Sequence, residues 1–273
     1  MYSFFNNGFL AADKTFIHVS DLATQRGYGI FDFLKTVKGK PLFFEDYLDR
    51  FYRSAKFMQL SISLSREELK KIINELVDKN SLPNSGIKLI LTGGYSTDGY
   101  ELTTPNLIIT QHLLTMPSQE YLENGIKIIT HEYVRDLPRV KSINYMMGVW
   151  LQKAVKEQHA ADVLYHMNGQ VSEFPRCNIF IVREDGVVVT PADRVLHGIT
   201  RKNILSLSGE PYTIREGAVS IEDVLKAKEV FLTSTTKRIV PIVKVNDSVI
   251  GTGRPGPVAQ RLLNDLMKLE SDC

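Results

Sequence analysis

Cysteine is scarce in this sequence, which has two cysteines among 273 residues. Cys177 and Cys273 together provide neither a disulfide framework nor a zinc site of four cysteines. The six histidines are scattered along the chain without the short, regular spacing of metal ligands. We therefore expect no metal site.

The sequence also lacks an excess of charge and a long apolar run. Its 33 basic and 31 acidic residues leave a formal net charge of +2, which is too small to attract nucleic acid or an anionic membrane. No stretch approaches the ~18 apolar residues that a membrane-spanning helix needs. Residues 1–7 lack the basic region and apolar core of a secretory signal. We therefore expect a cytoplasmic protein.

Apolar periodicity changes along the first half of the chain. A run of strand-forming residues predicts a strand at 30–37, and apolar residues three and four apart predict helices at 44–58 and 65–80. The stretch 113–122 has turn signals and no period, which is typical of a linker. This half is expected to be a sheet with two helices.

The length of the chain suits two domains. We expect a small N-terminal α+β domain at 1–115 and a larger domain at 116–273, which opens with a strand at 126–133. Within the larger domain, Lys141 precedes a helix predicted to run to about Ala160.

Two charged residues of the predicted small domain need partners. Asp32 lies inside an apolar strand, where an unpaired carboxylate would be costly. It therefore lies at the solvent-exposed end of the strand or faces a polar cavity. Arg50 lies beside the apolar stripe of the first helix, and a solvated arginine paired with Asp46 would explain it.

Lys141 is the candidate for the chemistry. An isolated lysine is usually a solvated surface charge, but Glu173 follows in a short apolar-flanked strand. The charge of Glu173 needs a partner, either a protonated pyridine nitrogen or the nearby Arg176.

Two further segments are suited to binding an anion. Gly198-Ile199-Thr200 offers backbone N–H groups at a predicted helix start, where the helix dipole favours negative charge. Residues 234–236 offer hydroxyls after a strand. Serine or threonine at a helix start is more often only a cap. A lysine, an acidic partner and two anion sites together indicate a pyridoxal 5'-phosphate site.

These segments resemble the class IV family of pyridoxal-phosphate enzymes, which includes branched-chain aminotransferases, D-amino-acid aminotransferases and aminodeoxychorismate lyases. The resemblance extends over nearly the whole chain. The segments that carry it are RGYGIFD at 26–32, YLDR at 47–50, VKSINY at 140–145, VSE at 171–173, NIF at 178–180, LHGITR at 196–201 and TSTT at 233–236.

The resemblance implies roles for single residues. Lys141 is implied to be the Schiff-base lysine and the base that moves the α-proton, and Glu173 to be the partner of the pyridine nitrogen. The other cofactor-binding residues that it implies are Arg50, Ile199, Thr200, Thr235 and Thr236 around the phosphate, and Tyr145 near the ring hydroxyl. It also implies a pseudo-barrel in the larger domain, as in D-amino-acid aminotransferases, and a homodimer.

The substrate is less well defined. Lys88 stands where branched-chain enzymes carry an arginine, which keeps the charge but loses the bidentate fork. Asp98 stands on the loop where D-amino-acid enzymes bring an arginine and a histidine, and where lyases tend to carry an arginine. The candidate substrate-binding residues are Arg26, Tyr28, Phe31, Lys88 and Lys237, although Lys237 and Arg238 fit two solvated turn residues equally well.

From this we expect an aminotransferase that moves an amino group between an amino acid, branched-chain L or D, and a 2-oxo acid. The alternatives are an aminodeoxychorismate lyase, which releases pyruvate with the same cofactor, and a non-catalytic scaffold of the same fold.

Overall fold

A computed structural model describes residues 1–114 and 116–273. Residue 115, at which we predict the first domain to end, lies outside the described residues. The chain divides into two compact units. Unit 1 consists of Met1–Thr115 and Val140–Asn144, and unit 2 consists of Met116–Arg139 and Tyr145–Cys273.

The chain contains fifteen strands and nine α-helices in its described residues. The strands are β1 (Tyr2–Phe5), β2 (Gly8–Ala11), β3 (Gly29–Val37), β4 (Lys40–Pro41), β5 (Asn84–Thr92), β6 (Leu107–Leu113), β7 (Ile126–Glu132), β8 (Asp162–Met167), β9 (Gln170–Val171), β10 (Asn178–Val182), β11 (Val188–Pro191), β12 (Ile214–Gly217), β13 (Glu229–Ser234), β14 (Arg238–Val245) and β15 (Ser248–Val249). The helices are α1 (Leu22–Arg26), α2 (Phe44–Phe57), α3 (Arg66–Asn80), α4 (Gln119–Asn124), α5 (Met146–Trp150), α6 (Gln152–Glu157), α7 (Ile199–Ser206), α8 (Ile221–Leu225) and α9 (Pro257–Ser271).

Unit 1 is a six-stranded sheet in the order β2-β1-β6-β5-β3-β4, and every neighbouring pair in it is antiparallel. The two helices predicted in this half are confirmed as α2 and α3. Their apolar stripes supply fully buried Leu48, Phe51, Leu69 and Ile73. Ser65 starts α3 in a capping box with Glu68, which satisfies backbone donors at the helix start.

The alternation of side chains along β3 separates its two faces. Asp32 and Leu34 point to one face and are 1% and 0% exposed, whereas Phe31 and Phe33 point to the other face and are half-buried. Consecutive residues of this strand therefore lie alternately in the buried interior and on a half-buried face.

Unit 2 contains a nine-stranded mixed sheet. Its order is β12-β11-β10-β13-β14-β7-β8-β9, with β15 paired to β14. Three of the pairs, β11·β12, β14·β7 and β7·β8, are parallel. One face of β13 packs with Ile204 of α7 and Leu262 of α9 around Phe231, so these two helices cover the same side of the sheet.

Two expectations differ from the structure. The helix predicted after Lys141 is two short helices, α5 and α6, joined at Leu151, whose ψ of −8° departs from the helical value of about −42°. The predicted linker at 113–122 overlaps α4, because Leu122 packs against the core of unit 2 and stabilises a helical turn there. No helix of residues 1–114 or 116–273 is long and apolar enough to cross a membrane.

Candidate functional site

The Lys141 segment pairs with the first residues of β3. Ser142 forms an antiparallel bridge with Ile30, Phe31 donates its backbone N–H to Lys141 O at 2.9 Å, and Ile143 donates to Gly29 O at 3.0 Å. Lys141 is thereby held in an extended conformation at the edge of the sheet of unit 1.

Gly29 permits this pairing because the backbone approaches closely there. A Cβ atom at position 29 would lie 2.8 Å from Leu91 O and 3.1 Å from Cδ1 of Ile143. A side chain larger than hydrogen would therefore displace β5 or the Lys141 segment.

The ring of Phe31 contacts two ammonium groups. Nζ of Lys141 lies 4.6 Å from the ring centroid, and Nζ of Lys88, on the neighbouring strand β5, lies 5.2 Å from it. A half-buried cation over an aromatic face is stabilised by the ring quadrupole. Two of the predicted substrate-binding residues, Phe31 and Lys88, are therefore placed with the predicted Schiff-base lysine.

Arg50 is buried and paired with the equally buried Asp32. Nε of Arg50 donates to Oδ2 of Asp32 at 2.9 Å, and Nη2 donates to Oδ1 at 2.6 Å. Asp32 points away from the Phe31 face of β3. Within unit 1, Arg50 and Lys141 therefore contact side chains on opposite faces of one strand.

In unit 2, Glu173 is 3% exposed. Its Oε1 accepts a hydrogen bond from Nη1 of Arg135 at 3.0 Å, and its Oε2 accepts one from the backbone N–H of Leu196 at 2.8 Å. Both donors favour the ionised form. Arg176, the alternative partner suggested by the sequence, is exposed.

The N-terminus of α7 has the features of an anion site. Gly198 is its N-cap and supplies no side-chain cap, and Ile199 and Thr200, both buried, follow in the first turn. A Cβ at Gly198 would lie 2.2 Å from Oδ1 of Asn178, so this position has to be glycine for α7 to start there.

Two residues of α7 and one of β13 carry buried polar atoms without a protein partner in the described part of the chain. Among the described residues, Arg201 Nε and Asn203 Nδ2 on α7, and Thr233 Oγ1 on β13, are buried and have no hydrogen-bond partner. Unpaired buried donors of this kind are uncommon in proteins. The glycine-capped start of α7 and the buried carboxylate of Glu173 fit a phosphorylated pyridine cofactor.

The turn between β13 and β14 carries the remaining predicted residues of unit 2. Thr235 and Thr236 are half-buried in it, and Lys237 donates its backbone N–H to Ser234 Oγ at 3.2 Å. The ammonium group of Lys237 lies 3.4 Å from Oδ2 of the buried Asp162. Lys237 is thus engaged in a structural ion pair.

The loop that follows β5 is ordered by Asp98. Its Oδ1 accepts hydrogen bonds from Ser96 Oγ and from the backbone N–H groups of Tyr100 and Glu101 at 2.8–2.9 Å. The backbone bonds to Glu101 and then Tyr100 contribute most to lowering the pKa of Asp98 to about 2. This carboxylate is therefore occupied within its own loop.

The three remaining predicted residues are Arg26, Tyr28 and Tyr145. Arg26 is exposed and donates from Nη1 to the backbone carbonyl of Gln25. Tyr28 donates its hydroxyl proton to Met58 O at 2.8 Å. Tyr145 is the half-buried N-cap of α5.

Reasoning from the sequence missed one supporting residue, Arg135, and one pairing, that of Asp32 with Arg50. Arg135 is 38 residues from its partner Glu173, in a loop with no period. The position of Asp32 in an apolar strand indicates that its carboxylate needs a partner, but the sequence alone does not identify Arg50 as that partner. The only available signal was the need of each buried charge for a partner of opposite sign.

A family model matches most of the chain. The model described as amino-transferase class IV matches residues 29–245. A D-alanine aminotransferase of Bacillus licheniformis is 28% identical over 264 residues, which cover 94% of this chain and 93% of that protein.

Solved structures share the fold. A branched-chain amino acid aminotransferase of Escherichia coli is 25% identical with a TM-score of 0.91 and covers 98% of this chain and 94% of that chain. A hypothetical aminotransferase from Mycobacterium tuberculosis, solved in its PLP-bound form, has a TM-score of 0.86 at 18% identity and covers 100% of both chains. The predicted two-domain α+β fold is confirmed by these similarities.

Proposed function

The chain belongs to the class IV aminotransferase family and is a pyridoxal-phosphate-dependent transaminase, and we propose that Lys141 carries its cofactor and that its amino donors are small D-amino acids. The observation that carries the assignment of Lys141 is its pairing with β3, which holds the amine over the ring of Phe31. A lysine that served only as a surface charge would need no such anchoring.

Pyridoxal phosphate, when bound, stabilises the negative charge left on the substrate Cα after proton removal. In our proposal, Nζ of Lys141 takes up and returns this α-proton. The contact with Phe31 restricts where Nζ lies, so that the amine is pre-oriented for proton transfer.

Glu173 is the residue that we assign to the pyridine nitrogen. Its buried carboxylate is kept ionised by Arg135 and the Leu196 N–H, and an ionised carboxylate there holds a proton on the ring nitrogen. In our proposal, the phosphate is bound by the backbone N–H groups of Ile199 and Thr200.

Five further cofactor contacts complete the proposal. The chemistry of these side chains suits cofactor binding. Hydroxyls and a guanidinium bind phosphate oxygens, and a phenol can form a hydrogen bond with the ring hydroxyl. These contacts are the hydroxyls of Thr200, Thr235, Thr236 and Tyr145, and the guanidinium of Arg50.

Small D-amino acids are supported as donors by the near-full-length relatives named D-alanine aminotransferase. In our proposal, the substrate carboxylate is bound by Lys88, which shares the Phe31 ring with Lys141. Lys88 has no acidic partner among residues 1–114 and 116–273. A half-buried ammonium without a counter-ion is suited to a carboxylate ligand.

Branched-chain L-amino acids are the second candidate. They are supported by the TM-score of 0.91 to the Escherichia coli branched-chain enzyme, at 25% identity. In our proposal both substrate classes would use the same cofactor and lysine. With the α-proton directed at Lys141 in both, D- and L-amino acids exchange the positions of the carboxylate and the side chain on Cα.

A half-reaction screen tests the proposal. Purified enzyme loaded with cofactor is mixed with D-alanine or with L-leucine, and the visible absorbance of the cofactor is followed without an acceptor. We expect D-alanine to convert the cofactor, and the Lys141→Ala variant to convert it with neither amino acid. Conversion by L-leucine alone would establish the branched-chain assignment, and conversion by neither, with pyruvate released from aminodeoxychorismate, would establish a lyase.

A further inference from the structure

Arg201 occupies the third position of α7, in the same turn as Ile199 and Thr200. It is 3% exposed, and its side chain points away from the helix to two acceptors. Nη2 donates to the backbone carbonyl of Pro191 at 2.8 Å and also pairs with the carboxylate of Glu216. One guanidinium therefore joins the first turn of α7 to the ends of β11 and β12.

The two acceptors differ in their exposure. Pro191 O belongs to a buried strand end, whereas the side chain of Glu216 is 48% exposed. The bond to Pro191 fixes the guanidinium in the interior, and the pair with Glu216 compensates its charge at the boundary with solvent. A planar guanidinium holds two acceptors in a fixed arrangement that an ammonium group does not reproduce.

The guanidinium itself is shielded from water. Its Nε is buried and has no hydrogen-bond partner among the described residues. Because Glu216 compensates its charge, the guanidinium acts on α7 mainly by fixing the first turn of the helix against β11 and β12.

We propose that Arg201 is a positioning residue, which fixes the N-terminal turn of α7 and thereby sets the affinity of the enzyme for the phosphate group of its cofactor. This inference rests on the proposed function, in which Ile199 and Thr200 bind that phosphate. Arg201 itself bonds Pro191 and Glu216 and acts through the backbone of α7.

The test compares binding of pyridoxal phosphate with binding of pyridoxal, which lacks the phosphate. Dissociation constants are measured by absorbance for the full-length wild type and for Arg201→Gln. Competition by inorganic phosphate gives a second readout that does not depend on activity. We expect Arg201→Gln to raise the dissociation constant of pyridoxal phosphate about tenfold or more, and that of pyridoxal by less than about twofold.

Three variants complete the design. Arg215→Gln, an exposed arginine on the neighbouring strand, is the matched control and should leave both constants unchanged. Arg201→Lys keeps the charge without the fixed plane, and its phosphate-specific loss should lie between those of the wild type and Arg201→Gln. Glu216→Gln should weaken the binding of inorganic phosphate, but less than Arg201→Gln does. The two milder variants carry the test if Arg201→Gln does not fold.

The outcomes separate this inference from the proposed function. Equal losses for both ligands, or no loss for either, in a folded Arg201 variant would overturn the role of Arg201. A wild type that binds pyridoxal as tightly as pyridoxal phosphate would instead overturn the phosphate site at α7. A preference of the wild type for the phosphorylated form, lost in Arg201→Gln, supports both.

Discussion

Arg135 and Glu173 form a buried ion pair in unit 2, with 3.0 Å between Nη1 and Oε1 and side-chain exposures of 9% and 5%. Removing one member of such a pair leaves the other charge desolvated and uncompensated. The pair therefore contributes to folding as well as to the ionisation of the carboxylate assigned to the pyridine nitrogen.

We predict that Arg135→Met lowers the free energy of unfolding by about 3–5 kcal/mol, the usual effect of breaking a buried pair. Transaminase activity should fall as well, because Glu173 loses a donor that favours its ionised form. Thermal denaturation and steady-state kinetics check both effects. Arg139→Met, at an exposed position of the same loop, is the control, and equal stability of the two variants would contradict the prediction.

Lys88→Met tests the carboxylate site. We expect the KM for the amino acid to rise by about tenfold or more, since one charge-assisted hydrogen bond contributes about 1.5–3 kcal/mol. The change should be smaller for Lys88→Arg, which keeps the charge. Lys79→Met is the matched control, because Lys79 also lies over aromatic rings, those of Tyr2 and Phe9. An unchanged KM in a folded Lys88→Met variant would remove Lys88 from the site.

Gly198→Ala should weaken cofactor binding. Its added Cβ would meet Oδ1 of Asn178 at 2.2 Å, so either the start of α7 or the bond from Asn178 to Leu196 O has to shift. The backbone N–H of Leu196 also donates to Glu173. The substitution therefore disturbs both the proposed phosphate site at α7 and a hydrogen bond to the carboxylate assigned to the pyridine nitrogen. Binding of pyridoxal phosphate by absorbance titration measures the effect. Gly8→Ala, where a Cβ meets nothing within 4 Å, should bind like the wild type.

The Asp98 loop should be resistant to acid. Backbone hydrogen bonds lower the pKa of Asp98 to about 2, so the stabilisation they provide is complete above the ordinary aspartate pKa of about 3.9 and is lost only as the pH falls through about 2. NMR titration of the Tyr100 and Glu101 amide protons measures this. At pH 3 most Asp98 should still be ionised, and a titration midpoint near 4 would show that these bonds do not persist in solution.

Local patterns in the sequence predicted the local structure of unit 1. The apolar periods at 44–58 and 65–80 became α2 and α3, since one buried stripe per helix is encoded in adjacent turns. The pattern after Lys141 also predicted helix, but a break at Leu151 divides it. That break depends on packing against other elements, which periodicity does not record.

Partners distant in sequence could not be predicted in this way. The nearby candidate for Glu173 was the exposed Arg176, whereas the structure pairs Glu173 with Arg135, and it pairs Arg50 with Asp32, 18 residues away. Charge pairing between separate elements depends on how strands and loops are arranged. The segments of the family resemblance identified the chemistry without identifying these supporting residues.

The five residues Val140–Asn144 belong to unit 1, although the chain on both sides of them belongs to unit 2. If the protein were expressed as two separate chains, 1–115 and 116–273, Lys141 would reside on the second chain and its strand partners Gly29 and Phe31 on the first. Neither fragment could then complete the pairing that anchors the amine. To reconstitute activity, residues 140–144 of the second fragment would have to pair with β3 of the first, as a bound peptide pairs with the edge of a sheet.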